Sequence, residues 1–416
     1  MYLFQVVLTI ITLLIVLSAF ISRRFSPYLI VFVASILLII SQTLKIDDFK
    51  QVILNSGPIT IICLFIITSA LKKSGLIYQI GKLILKLNDH SQYLTWICAF
   101  ACVLVLSAFI NNTPIVLVMA PVIAKIARAN RKKPAKFLIP LSYISILGGM
   151  CTLIGTSTNI ITNDVATSLG LRSFNIFEIT IPGVIAASIG AIYLLLVGTR
   201  YIPNSRIIDS NDLKLYSVKF HPKKASLTLI VLILIVTIAA FNLFNIASLA
   251  IIGAIIVLAF KCIDIKEALK SVEWKLILLI YAMLALSVSA NNLGIIHYLV
   301  HHAFNLVEIH NPIILFMFIY IITTLLTEFL TNNAVAILIT PIVIQIALSL
   351  GLDPTPFIAA VMFGASASFS TPMGYQTNTY IYTLGNYHIF DFVKVGLPLD
   401  FIVFVSLTIV AYFYWF

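Results

Sequence analysis

The chain has 416 residues, 61% of them hydrophobic and only 10% charged. A soluble protein of this size needs a polar surface that this composition does not supply, which excludes a soluble enzyme or a soluble nucleic-acid-binding protein. The net charge of +11 comes from 26 basic residues gathered in short connections between apolar runs, a pattern set by membrane topology rather than by nucleic acid.

The apolar runs recur at close to membrane-spanning length. Spans are predicted near 3–21, 27–44 and 54–71. The first lacks a basic leader and a small-residue cleavage site before Arg23 and Arg24, so it reads as a span and not as a signal peptide. A short amphipathic stretch from Ser74 to Leu87, with Lys82 and Lys86 among apolar residues, reads as an interfacial helix. The apolar stretch 92–127 is interrupted at its middle by Asn111, Asn112, Thr113 and Pro114. Polar residues followed by proline mark the start of a second helix, so this stretch reads as a helix–turn–helix hairpin.

A basic loop follows (Arg128, Arg131, Lys132, Lys133, Lys136), then an apolar segment broken by Gly-Gly-Met-Cys-Thr-Leu-Ile-Gly-Thr-Ser-Thr-Asn at 148–159. A span near 181–199 and a polar connection at 201–223, too short for a folded domain, close the first half. The second half repeats the plan. Spans fall near 225–243, 246–261 and 275–290, with a second interfacial stretch at 292–305. A polar-centred stretch at 312–350 carries Thr331, Asn332 and Asn333. A broken segment at 355–384 carries Ser-Thr-Pro-Met-Gly-Tyr-Gln-Thr-Asn at 370–378, and the last span lies near 396–415.

The two halves are an internal duplication. At an offset of 220, Phe109, Asn112, Pro121 and Phe137 fall on Phe329, Asn332, Pro341 and Phe357. At an offset of 219, Thr152, Gly155, Thr158 and Asn159 fall on Thr371, Gly374, Thr377 and Asn378, and Ile176-Phe177-Glu178 resembles Ile389-Phe390-Asp391. The expected fold is an all-α integral membrane protein of two inverted repeats, 1–200 and 224–416. Each repeat has five crossings, one re-entrant hairpin and one broken helix. Five is odd, so the repeats must be inverted. With both termini outside, all but three of the 26 Lys and Arg lie on the cytoplasmic side, the exceptions being Lys45, Lys50 and Arg172. If the hairpins spanned fully, the 128–136 cluster would move outside. The localisation expected is the cell inner membrane, with the hairpin tips able to meet near its midplane.

Backbone breaks inside a membrane are tolerated only where protein, water or a ligand satisfies the freed groups. Helix starts at the tips offer N–H groups to an anion, and Asn and Thr side chains add neutral donors and acceptors. Asn111, Asn112, Thr113, Thr331, Asn332 and Asn333 are therefore candidate substrate ligands. Asn112, Thr152, Gly155, Thr156, Asn159, Asn332, Thr371, Gly374, Thr377 and Asn378 are candidate ligands for a coupling sodium ion, helped by exposed carbonyls at the breaks. The plainer roles are helix-to-helix hydrogen bonding for Asn112 and Asn332, capping for Asn111, Asn159 and Asn378, and bending for Gly148, Gly149, Gly155 and Gly374.

Glu328 precedes the second tip where the first half has Ala108. An acid at membrane depth is a candidate for proton coupling, or for bonding within the bundle while protonated. Asp164 is expected to face outside water, and Asp391 to be solvated in a cytoplasmic connection. His297, His301, His302 and His310 are expected near the external surface. Cys63, Cys98, Cys102, Cys151 and Cys262 form no CxxC pair, so neither a transition-metal site nor a disulfide framework is expected, and no cofactor beyond sodium.

At the tips and breaks the chain resembles the divalent anion/sodium symporter family of the ion-transporter superfamily, which also holds citrate, arsenite and sodium/proton carriers. The resemblance spans essentially the whole chain and is strongest over 105–183 and 325–398. The family's Ser-Asn-Thr tip motif corresponds to Asn111-Asn112-Thr113 and Thr331-Asn332-Asn333, each keeping its central asparagine. Leu-Ile-Gly-Thr-Ser-Thr-Asn and Gly-Tyr-Gln-Thr-Asn look like the ion-site loops of the branch with sulfate permeases. The resemblance implies sodium-coupled symport of a small divalent anion, sulfate or a dicarboxylate, by elevator-type alternating access. It also implies a homodimer with a scaffold (1–90 and 224–305) and a moving transport domain (91–180 and 312–395). The alternative is a proton-coupled carrier, either an arsenite-like oxyanion exporter or a sodium/proton antiporter. No nucleophile–base pair or metal cluster suggests an enzyme.

Overall fold

A computed structural model describes residues 2–22, 27–88, 90–202, 219–241, 243–295 and 311–416, and every regular element among them is helical. The first half holds α1 (Tyr2–Ser22), α2 (Pro27–Ile40), α3 (Ile46–Ile53), α4 (Ser56–Lys73) and α5 (Leu76–Leu87). It continues with α6 (Gln92–Ser107), α7 (Asn112–Ala129), α8 (Ala135–Gly149), α9 (Ser157–Ser168) and α10 (Thr180–Tyr201), the last with a π-turn at Leu194–Gly198. The second half holds α11 (Pro222–Ala240), α12 (Ile246–Ala259), α13 (Ile265–Ser271), α14 (Trp274–Asn292) and α15 (Pro312–Thr327). It ends with α16 (Asn332–Ser349), α17 (Thr355–Ser366), α18 (Gln376–Leu384) and α19 (Ile389–Tyr414). Among the described residues seven helices are long and apolar enough to cross a membrane, and the chain is a multi-pass membrane protein.

The halves match element by element. Helices α6 and α15 each have 16 residues, α7 and α16 each have 18, and both pairs start 220 positions apart. Pro121 and Pro341 sit at the same place inside α7 and α16. Packing between the halves is reciprocal. Helix α2 packs on α14 as α12 packs on α4, and α9 packs on α16 as α18 packs on α7. Helix α9 also meets α17 as α18 meets α8, while α10 packs directly on its own counterpart α19. Exchanging the halves maps each contact onto another, the pattern that a pseudo-twofold axis produces.

Two short helices lie between predicted spans: α3 and α13 each form two turns. A two-turn amphipathic helix is too short and too polar for the apolar-run signal that finds spans. Helix α3 buries Val52 and carries Asp47 and Asp48 in its first turn, where the helix dipole favours acids. Helix α5 is amphipathic as expected, burying Ile77, Gly81 and Ile84 against α6 and α7 while Lys82 and Lys86 stay exposed.

Helix α19 starts at Ile389, two turns before the predicted span, because Asp391 accepts a hydrogen bond from the His388 N–H at 2.8 Å and caps the start. Asp391 is therefore a capping residue only 3% exposed, contrary to the solvated role expected of it. The second interfacial stretch beyond Ile295, the four histidines from His297 to His310, Arg23 and Arg24, and most of the 201–223 connection lie outside the described residues.

Candidate functional site

Two breaks in helical structure define the site, 150–156 between α8 and α9 and 367–375 between α17 and α18. Helix ends in an apolar interior leave carbonyls and N–H groups that need partners, and here side chains supply them. The Asn159 Nδ2 donates to Thr152 O at 2.9 Å and Gly149 O at 3.4 Å. Its counterpart Asn378 Nδ2 donates to Thr371 O at 3.3 Å and Ser368 O at 2.7 Å. The Thr152 hydroxyl donates to Ala108 O at the end of the first hairpin's leading arm, and the Thr371 hydroxyl donates to Glu328 O at 2.9 Å in the second. One asparagine thus pins each break and one threonine ties it to the neighbouring hairpin. Gly374 has no alternative here, since a Cβ would lie 2.4 Å from the backbone oxygen of Thr327.

Each hairpin tip reaches across to the opposite half. The Asn112 Nδ2 donates to the Tyr375 hydroxyl at 2.6 Å, and the Thr113 hydroxyl donates to Gln376 Oε1 at 3.2 Å. In mirror fashion, the Ser157 and Thr158 hydroxyls donate to Asn333 Oδ1, both at 3.2 Å. The Tyr375 hydroxyl also lies 3.1 Å from Thr156 Oγ1, linking the two breaks. Among the described residues no hydrogen bond joins the two tips directly, because the breaks lie between them. Thr331 is the exposed N-cap residue of α16. Asn111 is the N-cap residue of α7 but makes no side-chain capping bond. It lines a cavity of about 30 Å³ with Thr68, Gly155 and Ser157, room for about one water. Thr377 is fully buried, its hydroxyl 2.8 Å from that of Ser142.

Several buried polar atoms of this region have no partner among the described residues. Asn112 Oδ1, Asn159 Oδ1 and Asn332 Nδ2 are among them. The Asn112 amide packs against Gly149, where a Cβ would approach it to 2.9 Å, and Asn159 bonds the Gly149 carbonyl. Two unpaired amide oxygens therefore belong to side chains that each touch Gly149, and an amide oxygen without a donor suits a cation. The unpaired Asn332 Nδ2 is a donor and favours an anion. The Thr327 hydroxyl lies 2.9 Å from Asn332 Oδ1 and 3.0 Å from Ala365 O, and donates to one of them.

Glu328 is only 7% exposed and accepts the Ser370 N–H at 2.8 Å. The Ser370 hydroxyl donates to Asp400 Oδ2 at 2.6 Å. Sequence reasoning placed Ser370, Tyr375 and Gln376 in the second break without giving them roles, and missed Asp400, whose signal was an acid inside the apolar run 396–415. Asp164 was expected to face water. It is instead 5% exposed, with one oxygen unpaired and its carboxylate filling the space over Gly57 of α4, where a Cβ would lie 1.5 Å away.

Asp400 reaches Ser370 because Gly396 lets α19 lie directly on the second break, where a Cβ would be 2.0 Å from Phe369 O. Gly396→Ala should therefore destabilise the fold by about 1–3 kcal/mol despite alanine's better helix propensity. The check is the unfolding midpoint in detergent, and an unchanged or higher midpoint would refute the close approach.

Paired helical halves around two interrupted helices define a membrane carrier of the secondary-transporter class. The chain belongs to the citrate transporter family, whose description matches residues 14–351 and 310–416. Membership of that family makes it a membrane transporter. An uncharacterized transporter of Synechocystis is 24% identical over 83% of this chain and 86% of its own length. Sodium/sulfate cotransporter 2 of Chlamydomonas reinhardtii is 34% identical, over 41% of this chain and only 20% of its own length. Among solved structures, the MtrF efflux pump of Neisseria gonorrhoeae matches with a TM-score of 0.62 at 13% identity, over 90% of this chain and 83% of that one. The YdaH transporter of Alcanivorax borkumensis matches with a TM-score of 0.60 at 12% identity, over 88% and 89% of the two chains. These two likenesses concern the fold alone.

Proposed function

We propose that the protein is a sodium-coupled symporter of a small divalent anion, with sulfate the first candidate and dicarboxylates the second. The observation that carries the reading is the crossing of each hairpin tip to the opposite break, with unpaired buried amide groups where they meet. Asn112 and Asn159, with carbonyls of the first break, would hold sodium. Asn332, Asn333, Thr113, Thr331 and the helix starts at the tips would hold the anion by neutral donors. A bound cation lowers the cost of bringing an anion into a region without Lys or Arg, so the two ligands bind cooperatively.

The odd number of crossings per half and the bias of Lys and Arg support inverted repeats with re-entrant hairpins and both termini outside. The tips bond to breaks in the middle of interrupted helices, as hairpins that turn back at the midplane would. We assign 91–180 and 312–395 to a transport domain that moves against a scaffold of 1–90 and 224–305 in a homodimer. The Asp164 packing on Gly57 and the 3.3 Å bond from Gln376 Nε2 to Glu273 Oε2 are contacts this motion would break.

The substrate is tested by uptake of radiolabelled sulfate into proteoliposomes under an inward sodium gradient, with excess unlabelled succinate or citrate as competitors. Sodium-driven uptake blocked by sulfate and not by the organic acids is the expected result. Uptake competed away by succinate or citrate would reassign the substrate to an organic anion, and no uptake by correctly inserted protein would remove sulfate.

A further inference from the structure

The turn from α7 to α8 and the turn from α16 to α17 are copies of one backbone. After each helix the chain passes through a left-handed residue, Arg131 at φ 53° and Gly351 at φ 69°. The next amide reaches back to the helix, Lys132 N–H to Ala127 O at 2.8 Å and Leu352 N–H to Ala347 O at 2.9 Å. Such an ending favours glycine, because a Cβ at positive φ crowds its own backbone. Pro134 and Phe137 recur as Pro354 and Phe357. Between them, Arg131, Lys132, Lys133 and Lys136 stand where the second half has Gly351, Leu352, Asp353 and Pro356. The first half thus keeps an arginine where its own duplicate has the less strained residue.

These four cations meet the end of α10, which packs against α8. With Thr199 and Arg200 they line a cavity of about 470 Å³, a volume typical of ligand sites, and no carboxylate is among its lining residues. Lys132 is held beside stacked aromatic rings. Its Nζ lies 5.7 Å from the Phe137 ring centroid and 6.0 Å from that of Trp96, and the two rings are 3.9 Å apart. Among the described residues Arg131, Lys132, Lys136 and Arg200 enter no ion pair. Five like charges around one cavity repel one another, and an anion seated among them replaces that repulsion by attraction. Membrane topology asks only that a connection be basic, which any position in it would satisfy. It does not call for an arginine at positive φ, or for a second element that closes a cavity.

The cavity lies where α10 leaves the apolar layer. Ile185, Ile189, Ile192 and Leu196 recur at helical spacing on α10 and are all exposed, and Thr199 and Arg200 follow about one turn later. A basic cavity at the end of an exposed apolar stripe matches a molecule with an anionic head and apolar chains. We propose that this cavity binds the phosphate headgroup of an anionic phospholipid whose acyl chains lie along α10. The guanidinium groups of Arg131 and Arg200 match pairs of phosphate oxygens, the three lysines add point charges, and Thr199 adds a hydroxyl donor. A lipid held there ties the α7–α8 turn and the end of α10 to one membrane surface. The site requires a membrane-embedded chain and is independent of sodium coupling and of sulfate.

The test titrates the full chain, purified in detergent, with phosphatidylglycerol or with phosphatidylcholine. Binding is read by native mass spectrometry and by the unfolding midpoint. Phosphatidylglycerol should bind in preference and raise the midpoint. Removing three cations together, Arg131→Gly, Lys136→Gln and Arg200→Gln, should weaken its binding about 100-fold. Arg131→Gly alone installs the duplicate's residue and relieves the positive φ. It should fold at least as well as wild type in phosphatidylcholine while losing part of the phosphatidylglycerol response. A control that removes three exposed cations elsewhere, Lys82→Gln, Lys86→Gln and Lys266→Gln, should respond as wild type does. No preference for the anionic lipid in wild type, or an equal loss in the control, overturns the site. Inorganic phosphate or glycerol phosphate that reproduces the midpoint shift without lipid overturns the lipid as occupant and assigns the cavity to a soluble phosphate.

Discussion

Asn378→Ala is expected to lower the stability of the folded protein by about 2–4 kcal/mol. The Asn378 amide satisfies Ser368 O and Thr371 O through its nitrogen and receives the Ser142 hydroxyl at 2.6 Å through its oxygen. Alanine leaves these groups buried in a break where no helical partner and no bulk water replaces them. The matched variant Asn159→Ala removes the same pair of carbonyl contacts, but its Oδ1 has no partner to lose, so a smaller loss is expected. Unfolding midpoints of the two variants in the same detergent check the ordering. Equal small losses would mean that the breaks hold themselves without their asparagines.

Asn112→Ala is expected to act on transport more than on folding. Its one hydrogen bond goes to the Tyr375 hydroxyl, which keeps Thr156 as a neighbour, so little is left unsatisfied. What is lost is the unpaired Oδ1 against Gly149 and the link between the first tip and the second break. Loss of one buried charge-facing ligand is about 1–3 kcal/mol, so uptake at fixed sodium gradient should fall about 5–150-fold. Tyr375→Phe, which keeps the ring and removes the link alone, separates the two contributions. Uptake lost as fully in Tyr375→Phe as in Asn112→Ala would place the functional role on the link, whereas uptake retained in Tyr375→Phe places it on the ion ligand.

The duplication was readable because polar residues are scarce in apolar sequence. Asn112 and Asn332, or Asn159 and Asn378, stand out at a constant spacing, and the helices that carry them begin where those residues predict. The contacts that assemble the site were not readable. The Asn112–Tyr375 bond joins residues 263 positions apart, and no local spacing encodes which break a tip will face. Asp400 escaped for a different reason. Matching the halves draws attention to what repeats, whereas Asp400 replaces an alanine, Ala187, at the shared position. Asp164 looked solvated because depth was judged from its place along α9. Its burial depends on a neighbour, Gly57, whose missing side chain makes the room.

The coupling itself is the claim on which the account turns. Proteoliposomes with equal sodium on both sides, given an inward sulfate gradient, should accumulate radiolabelled sodium above its equilibrium level, because the anion's downhill movement drags sodium with it. Sulfate entry with sodium remaining at equilibrium would contradict the account and leave the protein an anion carrier without sodium coupling.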